Sequence, residues 1–74
     1  HMDKVTIVGL MDNSNVKITD LNGNIIYQTK SLGGQAIWNC RSASGSRVAT
    51  GVYLVLASTE EASESVVTKI IVVK

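Results

Sequence analysis

Few side chains in this sequence have chemistry to offer: one thiol, Cys40, followed by the guanidinium of Arg41, one imidazole, His1, and six carboxylates. A thiol beside a fixed positive charge is the beginning of a nucleophilic site, because the cation favours the thiolate. Such a site also needs a base within hydrogen-bond reach. His1-Met2 reads as the remnant of a purification tag cut at a cloning junction, so no native imidazole is left to activate Cys40 or a serine. Cys40 is therefore read as an incidental free thiol. Asp12 and Asp20 sit among turn-forming residues, and Glu60, Glu61 and Glu64 share one polar stretch. Neither set suggests an enclosed acid/base pair or the glycine-punctuated ligand spacing of a calcium loop. Gly33-Gly34 and Ser44-Gly45-Ser46 lack the Gly-Lys-Ser/Thr ending of a phosphate cradle. The sequence predicts no enzyme, no metal and no cofactor.

The bulk properties agree. At 74 residues the chain is one domain, and a domain of that size buries only about 60% of the surface its unfolded chain exposes. A lone cysteine cannot close an internal disulfide, so packing within the chain or against a neighbour must supply the stability. With 45% hydrophobic and 18% charged residues the sequence is too apolar for disorder. Its formal charge of +1 gives no field to gather nucleic acid. Arg41, Arg47, Lys30 and Lys17 are read as scattered solubilising charge rather than a basic face. No apolar run approaches the roughly 20 residues of a membrane helix.

The elements that must position these groups are strands. Gly51-Val52-Tyr53-Leu54-Val55-Leu56-Ala57 is rich in β-branched and aromatic residues and lacks charge, the pattern of a central strand covered on both faces. Lys4 to Gly9 alternates, with Leu10-Met11 as an extension, and Asp12 to Asn15 predicts a reversal. Val16 to Thr19 and Ile25 to Thr29 flank Asn22-Gly23, whose residue types suit the positive φ angles of a tight hairpin. Lys30 to Gly34 reads as a flexible connection, and Gln35 to Trp38 as a short strand with Ala36 and Trp38 facing one way. Trp38, the one indole, is read as a core anchor rather than a stacking platform. Asn39 to Thr50 is a long polar loop, Ser58 to Ser65 an acidic reversal, and Val66 to Val73 the closing strand. That last strand must be covered, by the first strand, another copy or a preceding domain, because an unpaired strand of this composition invites aggregation. The expectation is an all-β, immunoglobulin-like antiparallel β-sandwich of about six to seven strands over residues 3–74, the C-terminal domain of a larger protein.

Val16 to Ile26, Ala36-Ile37-Trp38-Asn39 and Gly45 to Tyr53 together resemble the immunoglobulin-like C-terminal domains of Bacteroidetes that include the sorting domains of the type IX secretion system. In that family a Val-x-Ile-x-Asp-x-x-Gly strand and turn, a Trp-Asp-Gly strand end and a Gly-Val-Tyr strand entry recur. Asn22, Gly23, Trp38, Gly51 and Tyr53 carry the structural part of the match. The absence of proline, where the cleavable signal opens with proline-asparagine-proline, favours the kind retained at the end of two-propeller proteins. Asn39-Cys40 stands where the family often has Asp-Gly, so Cys40 must tolerate a positive φ or the turn must differ.

The resemblance implies a non-catalytic docking or sorting module, with a structural cap on an adjoining β-propeller as the alternative. Lys69, Ile71, Val73 and Lys74 are the expected partner-binding residues. Expected partners are the upstream domain, a secretion-machinery protein or another copy through an edge strand, with no nucleic acid and no small-molecule substrate. Anionic lipopolysaccharide enters by family analogy alone. The parent protein is expected in the periplasm, at the outer-membrane surface or secreted.

Overall fold

A computed structural model describes residues 4–60 and 63–73. The expected tag remnant at residues 1–2 therefore lies outside the described residues, as does Lys74. Six strands form: β1 (Val5–Ile7), β2 (Asn15–Thr19), β3 (Ile25–Lys30), β4 (Ala36–Trp38), β5 (Gly51–Ser58) and β6 (Ser65–Val72). They make two antiparallel sheets, β1-β4 and β3-β2-β5-β6, consistent with a small immunoglobulin-like sandwich.

Alternation decides what lies between the sheets. Val16 and Ile18 of β2, Ala36 and Trp38 of β4, Tyr53 and Val55 of β5, and Ile70 and Val72 of β6 are all buried. Trp38 is fully enclosed as anticipated, its ring meeting Tyr53 edge to face at 5.6 Å. The polar tips of both aromatics are satisfied. Trp38 Nε1 donates to Arg41 O at 2.8 Å, and the Tyr53 hydroxyl donates to Ala49 O at 2.7 Å. These bonds tie the ends of the polar loop to the core.

Several sequence expectations need correction. β5 is an inner strand, between β2 and β6, but it is covered on one face only: Val52, Leu54 and Leu56 are half-buried. β1 stops at Ile7 without reaching Leu10-Met11, since Gly9 takes a left-handed φ of 79° that breaks the extended run. The β2-β3 connection is longer than a two-residue turn. Gly23 alone is left-handed there, and Gly23 N donates to Asp20 O at 3.1 Å.

Residues 30–34 are anchored rather than flexible. Ser31 is fully buried; its Oγ accepts from Ser14 N at 2.8 Å and donates to Met11 O at 2.6 Å. Ser14 Oγ donates to the same carbonyl at 2.6 Å. Gly34 O then accepts from Leu10 N at 2.9 Å, so two loops distant in sequence are locked together.

Candidate functional site

An enzyme would bring ionisable groups together in an enclosed cleft; His1 and Glu61 lie outside the described residues, and the described residues that invited that reading are dispersed. Cys40 is buried, with φ of 60°, just beyond the end of β4. Its strained angle meets the condition set by the family pattern, since the turn keeps the geometry that glycine normally supplies. Arg41 Nη1 donates to Gly45 O at 2.9 Å, which uses the guanidinium to close its own loop. Asp20 is spent in the same way. Its carboxylate accepts from the Asn24 side-chain amide, Asn24 N and Asn22 N, each at 2.9 Å. Those bonds, the Asn24 side chain first, hold its pKa below the ordinary carboxylate value. Asp12 Oδ1 accepts from Gly33 N at 2.9 Å. Among the described residues no three His, Cys, Asp or Glu side chains gather to hold a metal ion.

The four expected partner-binding residues all belong to the closing strand and its end. β6 pairs with β5 along one edge, with Leu56, Leu54 and Val52 standing opposite Val66, Lys69 and Ile71. Because Tyr53 and Val55 point into the core, the intervening β5 residues and their partners occupy the outer face. Lys69 and Ile71 are exposed there, Ile71 to 57%, and Val73 just beyond the strand is 56% exposed. The fourth, Lys74, lies outside the described residues. Ile70 and Val72 on the opposite side are buried. One strand thus presents a core-forming face and an outward apolar face.

Among the described residues no strand pairs with the outer edge of β6. β1 pairs with β4 rather than β6, so the first strand does not serve. Val66 at 60% and Val67 at 39% are exposed as well. Lys17 of β2, the register partner of Leu56, sets its Nζ 3.0 Å from the Glu64 carboxylate. An exposed pair of this kind adds at most about 1 kcal/mol. In the sequence Lys17 and Glu64 read as separate solvated charges; only the β2-β5-β6 order brings them together.

Two further concavities are shallow. One of about 180 Å³ lies among Leu10, Met11, Ser14, Ser58 and Val67, and the other, of about 360 Å³, runs between β1 and β6. Among the described residues no helix is long and apolar enough to cross a membrane.

Comparison with known proteins agrees with the resemblance drawn from the sequence. The family model described as a secretion system C-terminal sorting domain matches residues 1–74. No curated protein sequence matches the chain. Among solved structures the chain is similar to PorZ, described as an essential bacterial surface component of the type-IX secretion system of the human oral bacterium Porphyromonas gingivalis. The two share 40% identity with a TM-score of 0.82, over 97% of this chain and 10% of that one. The chain thus spans about a tenth of that relative.

Proposed function

The chain belongs to the secretion system C-terminal sorting domain family, and from that premise we propose that it is a non-catalytic docking module whose outermost strand, β6, is read by secretion machinery. The family consists of sorting tails of secreted or envelope proteins exported by the type IX route and is non-catalytic. The observation that carries the finer reading is the two-sided character of β6. Ile70 and Val72 fix the strand in the core while Lys69, Ile71 and Val73 remain exposed.

An edge strand presents a row of main-chain donors and acceptors, so a partner strand gains affinity by pairing with it and selectivity through alternate side chains. Lys69 supplies the one positive charge among the described residues of β6, and Ile71 and Val73 supply apolar area. The partner is a secretion-machinery protein; upstream segments of the same chain are its competitors for that edge.

The test is delivery of the parent protein to the cell surface. Deleting residues 69–74 would also strip Ile70 and Val72 from the core, so substitution is the cleaner experiment. Lys69→Glu with Ile71→Glu is expected to leave the thermal midpoint of the isolated chain within a few degrees of wild type and to leave the parent undelivered. Normal delivery of a folded double variant would refute the docking role.

A second reading, a cap on an adjoining propeller, is favoured by the half-buried outer face of Val52, Leu54 and Leu56. A cap predicts that removing the domain lowers the propeller's thermal midpoint while transport continues.

A further inference from the structure

The sandwich is open along one side. β1 pairs by one edge with β4, β6 pairs by one edge with β5, and among the described residues no strand pairing joins β1 to β6. Between them runs the groove of about 360 Å³, bounded by residues 5–8 and 67–70. Its buried lining residues are Ile7 and Ile70, while Val8 and Val67 stand exposed along it. A strand directs alternate peptide groups to each side, so the facing edges carry donors and acceptors that no described strand takes up. Among the described residues, Lys69 is the only charged one lining the groove.

We infer that this groove is a strand slot for one extended segment of a partner protein. That segment adds to the free edge of β6, turns apolar side chains onto Ile7 and Ile70, and sets a carboxylate outward beside Lys69. The inference rests on the reading of β6 as a docking strand and adds what sequence fits it and where.

Three features select this occupant. The walls are main-chain edges, which an extended segment satisfies along its length and a compact ligand does not. Outward Lys69 is followed by inward Ile70, so the occupant must alternate in step, polar then apolar. A single cation asks for a single carboxylate, which suits a peptide better than a polyanionic glycan. A second copy of β6 would bring another Lys69 to the same edge, like charge where the opposite sign is wanted.

The experiment uses the 74-residue chain and the peptide acetyl-Val-Thr-Val-Glu-Val-Thr-Val-amide, with amide hydrogen exchange followed by NMR. Saturable slowing by about tenfold or more is expected at those amides of residues 67–70 that point away from β5, with smaller slowing at those of residues 5–8 that point away from β4 and none along β3, the opposite edge of the sheet. Replacing the peptide's Glu by Lys should weaken binding about fivefold, and Lys69→Glu should restore it. A peptide N-methylated at the positions facing β6 should give no protection.

No slowing at about 1 mM peptide, equal slowing at β3, or protection that rises with the concentration of the chain alone would overturn the slot, the last in favour of a second copy. The two readings fail separately. Lost delivery of the Lys69→Glu, Ile71→Glu parent without peptide protection removes the slot and keeps the docking strand; protection with normal delivery does the reverse.

Discussion

Cys40 occupies a backbone conformation, φ of 60°, that costs a residue with a Cβ about 1–2 kcal/mol. Its side chain is nevertheless buried in the core, so packing offsets the strain, and the site can be resolved by two substitutions. Cys40→Ala gives up sulfur contacts and keeps the strained angle; Cys40→Gly gives up slightly more and relieves it. Glycine also gains freedom in the unfolded chain, which cancels part of the relief. The expected result is a glycine variant about 1 kcal/mol more stable than the alanine variant in urea unfolding; an alanine variant of equal or greater stability would show that the turn carries no strain.

Asp20 makes a prediction in pH. Its folded pKa is depressed, chiefly by the Asn24 side-chain amide and then by backbone N–H groups. A depressed carboxylate contributes stability that is present above its unfolded value, about 3.9, and lost as pH falls through the folded value. The thermal midpoint of wild type should therefore approach that of Asp20→Asn as pH is lowered from about 5 to about 2. A gap that stays constant with pH would mean the carboxylate is not what closes this hairpin.

At the scale of elements, the joint between the loops before β2 and after β3 is the feature on which the sheets' placement depends. A Cβ built on Gly34 would lie 2.9 Å from Leu10 O, and the residue's φ is 82°. Gly33, with φ of 61°, has open space at the same position. Gly34→Ala is thus expected to cost about 2–3 kcal/mol and Gly33→Ala about 1 kcal/mol, by urea unfolding. Similar losses at both would place the cost in backbone angle alone.

This joint also marks where sequence reasoning stops. The alternation of Val16 and Ile18, and of Ala36 and Trp38, was legible because these pairs share the buried face of their strands, whereas the burial of Thr19 after Ile18 breaks the pattern at the irregularity in the β2-β3 pairing. The serine network was not, since Ser14 and Ser31 share the carbonyl of Met11 across a gap that no local pattern records. The outward face of β6 was legible only in part. β-branched residues fill both of its faces, and the irregularity between Val55 and Leu56 shifts the register, so that Val66 and Lys69 fall opposite alternate residues of β5 despite unequal spacing. The partner-binding candidates Lys69, Ile71 and Val73 came from the family resemblance and their place near the end of the chain, and the fold leaves all three exposed.

For the whole molecule, the decisive contrast is between a spent interior and an unspent edge. Among the described residues, the ionisable groups that suggested catalysis close turns or lie dispersed, whereas β6 keeps Lys69 and several large aliphatics toward solvent. A small domain whose stability margin is thin retains such an edge at the risk of aggregation, which is the physical reason to seek a partner there. The most direct measurement is transplantation: fuse residues 1–74 behind an unrelated folded reporter exported to the periplasm of a type IX-competent bacterium, and assay the reporter on the cell surface. The account predicts surface delivery with the wild-type domain and retention in the periplasm with Lys69→Glu, Ile71→Glu, both domains being folded. Equal delivery by the two would contradict it.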